Sequence, residues 1–255
     1  MSEPYQPGGR RAGLQTPVRN RYFYGQLLGV YNFELETEYS IRQRRMINRL
    51  ILGHGVACGL NVELTSDGRK VIIWPGLAID RWGREIVVAQ KTGPIPIPPD
   101  VISSALDRGQ RGNCEPCVHV AVCYHECHGD PVPVRYGDCD LADPCAPSTV
   151  REQYRIEFRD DCAPRHGLRR HVPDLLSDGG IDHDALARWV TRGRHCVSMP
   201  ADPCIPLANL PVADQSHCDP GGVDIGVRPV LPSNVVLLEL ILALLEQQGE
   251  ESDYQ

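Results

Sequence analysis

The segment CVHVAVCYHEC, residues 117–127, alternates apolar side chains with cysteine and histidine. Because successive side chains of a β-strand point to opposite faces of a sheet, this pattern predicts a half-buried strand. The core-facing positions are predicted to be Val118, Val120, Val122 and Tyr124. The other face then carries thiol and imidazole groups, from Cys117, His119, Cys123, His125 and Cys127.

The segments around this strand predict a β-rich α+β protein with two sets of antiparallel strands. Three apolar runs with turn residues such as Asp67–Gly68 and Gly83 between them lie upstream, at 55–64, 70–80 and 84–89. Three further runs lie downstream, at 152–158, 205–213 and 223–231. Between the two sets, the prolines of residues 93–100 favour an edge strand or a linker.

An N-terminal amphipathic helix is predicted over residues 33–52, where apolar residues recur at helical spacing. Asn32 suits the N-cap and Gly53 the stop, and acidic residues precede arginines in the order that the helix dipole favours. Short helices are predicted within 101–116 and 182–191. The corresponding domains are an arm over 1–20, a helix and hairpin domain over 21–100, a cysteine-rich β domain over 101–232, and a C-terminal helix and tail over 233–255.

The C-terminal helix is apolar at almost every position from Val235 to Leu245, with Glu239 as the main interruption. A helix that is apolar all round must be buried on several sides, and this one is too short to span a bilayer. It therefore lies in a core or in a subunit interface, and its place at the chain end favours a homo-oligomer. The predicted interface residues are Leu237, Leu238, Ile241, Leu244 and Leu245.

The cysteines around the central strand are candidate ligands of a structural zinc ion. Thiolate and imidazole are natural ligands of tetrahedral zinc, and the loop over 128–144 has little apolar material to hold it. The predicted ligands are Cys123, Cys127, Cys139 and Cys145, with Cys114, Cys117 and His125 as further candidates. Cys123 and Cys127 can share an ion only if the strand ends near Cys127, where Gly129–Asp130–Pro131 favours such an end.

Disulfides and free thiols remain alternatives to zinc at these cysteines. The count of 11 cysteines is odd, so complete internal pairing leaves at least one unpaired. A catalytic metal is disfavoured, because the sequence contains neither HExxH nor the deaminase order of ligands. A Cys/His dyad of His54 and Cys58 is also weaker than a structural histidine in a glycine-rich turn. No catalytic residue is assigned, and we expect no enzyme activity.

Composition narrows the class of partner and the compartment. A formal net charge of −7 argues against a dedicated nucleic-acid binder, whose surface would be basic. The N-terminal residues lack the apolar run of a signal peptide, and no segment reaches the length of a membrane span. We therefore expect a cytoplasmic protein, in a compartment where thiols stay reduced.

Residues 22–28, 33–52, 55–60 and 75–86 resemble an uncharacterised bacterial family linked with phage-tail-like contractile injection systems. The shared run is an aromatic-Gly-Gln-Leu-Leu start, an acidic-then-basic helix, a GVACGL strand and a PGLAIDRWGREI hairpin. A weaker likeness continues at 126–127, 130–133 and 154–157, so that about half the chain is covered. The hairpin is also similar to segments of tail-fibre and baseplate proteins, which are often trimeric.

The resemblance implies a structural component of the baseplate or fibre-attachment type, assembled with copies of itself and with other particle subunits. The particle would be formed in the cytoplasm, and an N-terminal arm with Arg10, Arg11, Arg19 and Arg21 could dock on an acidic partner surface. Two rival classes remain. A zinc-dependent enzyme would use His125 or Glu126, and a glycan-binding fibre module would need the exposed aromatic rings Trp74, Trp82 and Tyr136.

Overall fold

The protein folds as an α+β structure in which short helices flank several antiparallel sheets. This computed structural model describes residues 16–112, 116–133, 145–165, 175–177, 180–193, 199–212 and 222–252. Within these residues the helices are α1 (Val30–Ile47), α2 (Pro99–Gly112), α3 (His183–Arg188) and α4 (Asn234–Ser252). One π-helical turn, Asn48–Leu52, extends α1, and another, Trp189–Gly193, extends α3.

The described strands form three three-stranded sheets and one small hairpin. They are β1 (Gly55–Gly59), β2 (Val62–Leu64), β3 (Lys70–Ile73), β4 (Gly76–Ile79), β5 (Glu85–Val88), β6 (Ile95–Pro96), β7 (Cys117–Pro133), β8 (Cys145–Arg159), β9 (Leu176–Ser177), β10 (Gly180–Ile181) and β11 (Ile205–Pro211). The sheet orders are β1-β4-β5, β2-β3-β6 and β11-β7-β8, and β9 pairs with β10. Every one of these pairs is antiparallel, as the sequence predicted.

The hydrophobic core draws on both sets of strands. Val118, Val120, Val122 and Tyr124 of β7 all lie in it, which confirms the predicted inward face. The same cluster contains buried residues of the earlier strands, Val56, Val62, Val71, Ile73, Ala78, Ile86 and Val88. Residues on both sides of the predicted boundary at residue 100 therefore share one core, whereas the domain limits themselves stay predictions.

The first half of β7 is buried on both faces, so it is not the half-buried strand that alternation predicted. Cys117, His119, Ala121 and Cys123, on the face opposite the core, are all less than a tenth exposed. The segments that follow β8 and precede β11 cover this face. The His119 ring nitrogen Nδ1 lies 2.8 Å from the Asp161 carboxylate, and Ala121 and Cys123 cluster with Cys204.

The second half of β7 does not end at Gly129–Asp130–Pro131, where the sequence predicted a break. Asp130 adopts a positive φ of 49°, yet pairing with β8 resumes beyond it as far as Pro133 and Cys145. The Asp130 carboxylate accepts hydrogen bonds from Thr149 at 2.7 Å and Arg151 at 2.8 Å, which fasten the irregular position to β8. Local turn propensity is thus overridden by contacts across the hairpin.

The N-terminal helix is present, but it begins earlier than predicted. Gly29 is the N-cap, and its N–H donates to the Asn32 side chain at 3.0 Å, so Asn32 lies inside the first turn. Gly53 ends the helix as expected, with a φ of 97° that favours glycine. The predicted strand at 223–231 is instead an irregular segment with two isolated bridges, Asn209↔Asp224 and Val56↔Val230.

The C-terminal half of α1 is fastened to the β4–β5 hairpin through polar contacts. The buried Asn48 side chain donates to the Gly83 carbonyl at 3.0 Å and to the Glu85 carboxylate at 2.8 Å. Arg44 pairs with the same carboxylate at 2.8 Å. Gly83 has a φ of +83°, and a Cβ placed on it would lie 2.0 Å from the Arg45 carbonyl oxygen. Helix and hairpin can therefore meet only if this position is glycine.

The substitution Gly83→Ala is expected to destabilise the fold by about 2–4 kcal/mol, since it combines left-handed strain with overpacking against a helix backbone. The free energy of unfolding from urea titration measures this. Gly68→Ala is the matched control, because Gly68 has a similar φ of +66° and nothing within 4 Å of the added carbon. The control should lose only about 1 kcal/mol. Equal losses for the two variants would mean that close packing on α1 is unimportant.

Candidate functional site

The C-terminal helix α4 exposes a long run of apolar side chains. It starts after Ser233, whose hydroxyl accepts a hydrogen bond from the Val236 N–H at 3.3 Å. All described side chains from Val235 to Glu246 are exposed, and Leu237, Ile241 and Leu244 are 43%, 54% and 60% exposed. The predicted interface residues, including Leu238 and Leu245, therefore lie on a helix that its own subunit leaves uncovered.

A second apolar surface lies at the start of α1 and in the segment before it. Eight large apolar side chains there are between 43% and 106% exposed: Tyr22, Phe23, Tyr24, Leu27, Leu28, Val30, Tyr31 and Phe33. Contiguous exposed apolar surface on a soluble protein marks an interaction site. Arg19 and Arg21 of the predicted arm are exposed beside it, and Arg10 and Arg11 lie outside the described residues.

Two disulfides join the central strand β7 to its neighbours. Cys117 is bonded to Cys162, which follows β8, and Cys123 is bonded to Cys204, which precedes β11. Each bond closes a long loop, with 45 and 81 residues between the partners. A disulfide that closes a loop of this length lowers the conformational entropy of the unfolded chain. Each bond is therefore expected to stabilise the fold by roughly 2–4 kcal/mol.

The described members of the predicted zinc set do not meet at one ion. Cys127 lies opposite Arg151 on β8, whereas Cys145 lies opposite Pro133, six residues farther along β7. With a rise of about 3.3 Å per residue, the six residues separate Cys127 from Cys145 by about 20 Å. Cys123 is four residues from Cys127 towards the start of β7, a distance of roughly 13 Å. The strand does not bend at Cys127, so the geometry that a shared ion required is missing. Cys58, Cys127 and Cys145 are free thiols.

The remaining zinc candidates lie partly within and partly outside the described residues. Cys117 is held in its disulfide, and His125 is exposed opposite Gln153. Cys114 and Cys139 lie outside the described residues. The sequence favoured zinc over disulfides at these cysteines, but Cys117 and Cys123 are both in disulfides. Disulfides are typical of oxidising compartments. The cytoplasmic location stays a prediction.

A different trio could hold a metal ion: Cys123, Cys204 and Glu157. One ligand atom from each lies within 4.8 Å of the other two. Both cysteines are buried, and Glu157 is partly buried at the edge of an open cleft of about 510 Å³. The Glu157 carboxylate pairs with Arg155 at 2.7 Å and with Arg159 at 3.0 Å. Arg159 also pairs with Asp202 at 2.5 Å.

Asp202 ties the segment before β11 to β8. It accepts a hydrogen bond from the Cys204 N–H at 3.1 Å and pairs with Arg159, whose hydrogen bond lowers the pKa of Asp202 below its ordinary value of 3.8. The charged form is therefore favoured in the folded protein. Its contribution to stability is complete above roughly pH 4 and is lost as pH falls through the lowered pKa.

The substitution Asp202→Asn is expected to lower the free energy of unfolding at neutral pH by about 0.5–1 kcal/mol, a modest value because the ion pair is partly solvent-exposed. The difference between the variant and the wild type should shrink as pH falls below the ordinary aspartate pKa of 3.8 and through the lowered pKa of Asp202. Urea midpoints measured from neutral to acid pH test this. A stability difference between the variant and the wild type that grows as pH falls would contradict the lowered pKa of Asp202.

The cleft beside this trio is lined by stacked aromatic and guanidinium groups. The Arg84 guanidinium lies 4.5 Å from the ring centroids of both Trp82 and Tyr124. An adjoining hollow of about 370 Å³ is lined by these three residues together with Arg45, His125, Glu126 and Met199. The Tyr124 hydroxyl donates to Glu126 at 2.7 Å, and Arg45 donates to the same carboxylate at 3.3 Å.

Tyr124 and Glu126 of this cleft are held in their ordinary charge states. Burial and the hydrogen bond to Glu126 raise the pKa of Tyr124 far above its usual value, so the phenol stays protonated. Burial acts to raise the pKa of Glu126, but hydrogen bonds from Tyr124 and Arg45 outweigh it and lower that pKa. A general acid or base works best with a pKa near the operating pH. Neither group has that property.

The aromatic residues considered for glycan binding are engaged within the chain. Trp82 donates its indole N–H to the Pro200 carbonyl at 2.8 Å and stacks on Arg84. Trp74 is 39% exposed, with the Lys91 ammonium 3.9 Å from its ring centroid. Tyr136 lies outside the described residues. Of the two described rings, Trp74 is therefore the more exposed.

No protein-family model matches this chain, and no curated protein matches it either. Among its described helices, none has the length and apolar content needed to cross a membrane. The described residues form an α+β protein with an exposed apolar C-terminal helix and a disulfide-linked central sheet.

Sequence reasoning missed Cys162, Cys204 and Glu157 as neighbours of the central strand. The sequence placed Cys117 and Cys123 on one strand face correctly, but it could not choose their partners. The available signal was that Cys204 directly precedes a predicted strand, and Glu157 lies within another. Which residues face each other depends on strand register, and that register is set by packing.

Proposed function

We propose that this protein is a structural subunit that assembles with copies of itself through α4. The observation that carries the proposal is the exposure of every described side chain from Val235 to Glu246 of α4. Burying a large aliphatic side chain is worth about 1.5–3 kcal/mol. Nine exposed valine, leucine and isoleucine side chains on one helix would be a considerable aggregation hazard, and association of several α4 helices removes it.

The distribution of charge on α4 supports a defined bundle. Glu239 and Glu246 are seven residues apart, so they project in nearly the same direction from the helix. Leu237, Ile241 and Leu244 lie on the opposite side, at the spacing that lines the seam of a coiled coil. The carboxylates can therefore stay in water while the leucine side is buried.

We further propose that the assembled subunit belongs to a phage-tail-like contractile particle, at the baseplate or fibre attachment. Support comes from the resemblance carried by residues 22–28, 33–52, 55–60 and 75–86. The exposed apolar surface around Tyr24, Leu27 and Phe33 belongs to the first two of these segments and would serve contact with a different particle subunit. No reaction is assigned to the protein.

Sedimentation analysis of the full chain tests the assembly. The expected result is a mass that is a small multiple of 28.3 kDa and stays constant over a wide range of protein concentration. A monomer at high concentration would contradict the proposal. Membership of a particle is tested separately, by epitope-tagging the chromosomal copy and sedimenting lysates. The tagged chain should travel with intact particles, and a tag found only in the light fractions would contradict that part.

A further inference from the structure

We propose that Cys123, Cys204 and Glu157 form a zinc site that replaces the Cys123–Cys204 disulfide when that bond is reduced. The same two sulfurs would then serve two exclusive states, a covalent bond in an oxidising environment and a metal centre in a reducing one. Of these residues, the sequence pointed only to Cys123 as a ligand. The inference is independent of assembly through α4.

Strand register brings the three ligands together. Ile205 of β11 pairs with Val122 of β7, so Cys204 lies directly across from Cys123. Glu157 of β8 pairs with Ala121, two residues from Cys123 and therefore on the same face of the sheet. A tetrahedral zinc ion with bonds of about 2.0–2.3 Å places its ligand atoms roughly 3.5–4 Å apart. Ligand atoms that already lie within 4.8 Å of one another need only small side-chain rotations.

The surroundings suit a metal centre with net negative charge. Zinc with two thiolates and one carboxylate carries a charge of about −1, and Arg155 and Arg159 both donate to Glu157. Arg159 also binds Asp202, which accepts from the Cys204 N–H. Outer contacts of this kind orient ligands and hold them in place. The open cleft next to Glu157 leaves room for water as the fourth ligand.

The chemistry balances with a small dithiol as the reductant. The Cys123–Cys204 bond accepts two electrons and two protons from the dithiol, which becomes a cyclic disulfide. Zinc then displaces the two thiol protons and binds both sulfurs. Oxidation reverses the sequence, since the disulfide sulfurs are no longer thiolates and release the ion. If Cys123 and Cys204 serve only as a structural disulfide beside ordinary ion pairs, the reduced protein should show no zinc affinity at these residues.

Zinc counting by native mass spectrometry tests the proposal. The full chain is stripped of metal, kept oxidised or treated with a dithiol, freed of reductant under anaerobic conditions, and titrated with zinc chloride. We expect the reduced chain to bind one zinc ion more than the oxidised chain. Cys204→Ser should lose that ion. Cys145→Ser, which removes an exposed free thiol, is the matched control and should keep it. Glu157→Gln should weaken this zinc affinity at least about tenfold.

Protection from alkylation identifies the cysteines involved, because thiols in other segments could also bind zinc. Peptide mapping should show that zinc slows alkylation of Cys123 and Cys204 together and leaves Cys58 unaffected. The proposal is overturned if zinc leaves both alkylation rates unchanged, or if Cys204→Ser binds as much zinc as Cys145→Ser. It is also overturned if circular dichroism shows that reduction unfolds the sheet, since the site needs the native register.

Discussion

Ile241→Asp is expected to convert the assembled protein into a 28.3 kDa monomer. Ile241 lies opposite the Glu239 and Glu246 side of α4 and at the centre of the apolar run. The change removes about 1.5–3 kcal/mol of burial per copy and places a carboxylate where several copies converge. The loss of roughly 3 kcal/mol or more per copy corresponds to at least a hundredfold weaker association for each subunit. Sedimentation velocity at several concentrations measures the mass.

Two control variants separate this effect from a general effect of charge. Ile181→Asp makes the same change at an isoleucine that is 66% exposed on β10, and it should leave the mass unaltered. Ala243→Asp adds a carboxylate to α4 on the side of the two glutamates and should also preserve the assembly. If Ile241→Asp keeps the wild-type mass, α4 is not the assembly helix. If Ala243→Asp dissociates the protein as well, the contact surrounds the helix and is not confined to one side.

Asp80→Ala is expected to cause the largest loss of folding stability, about 3–5 kcal/mol. The Asp80 carboxylate is fully buried and accepts hydrogen bonds from the Trp82 and Arg84 N–H groups at 2.8 and 2.9 Å. Its second oxygen pairs with the Arg84 guanidinium at 2.7 Å. Removing the Asp80 carboxylate leaves the Trp82 and Arg84 N–H groups of the hairpin turn without this acceptor. It also leaves the nearly buried Arg84 guanidinium without its ionic partner. Urea unfolding at a fixed protein concentration measures the loss, because assembly makes stability depend on concentration.

Asp80→Asn should lose less than Asp80→Ala, roughly 1–3 kcal/mol, because the amide oxygen can still accept from the two N–H groups. Glu38→Ala is the matched surface control, since it removes the carboxylate of the exposed Arg42–Glu38 pair and should change stability by at most about 0.5 kcal/mol. An Asp80→Ala variant as stable as Glu38→Ala would show that the turn does not depend on this buried ion pair.

The predicted ligands Cys123, Cys127 and Cys145 are spread along the β7–β8 hairpin for a physical reason that is visible at Asp130. Sequence reasoning treated Gly129–Asp130–Pro131 as a strand end, because these residues favour turns. The hairpin continues since Thr149 and Arg151 bind Asp130 from the neighbouring strand. Turn propensity is a local preference of about the size of one hydrogen bond, so two such contacts reverse it. Cys127 and Cys145 are separated as a consequence.

Periodicity in the sequence was sufficient for the presence of α1 and its end at Gly53, for the inward face of β7 and for the apolar character of α4, but it misplaced the start of α1. Those features depend on residues within a few positions of one another, so no distant contact is needed to predict them. The tertiary structure alone decided that Cys123 meets Cys204 and Glu157, and that Arg84 stacks between Trp82 and Tyr124. Cys123 is 81 residues from Cys204 and 34 from Glu157, and Tyr124 is 40 residues from Arg84. Their meeting depends on strand register, which the packing of the whole core selects and no local pattern encodes.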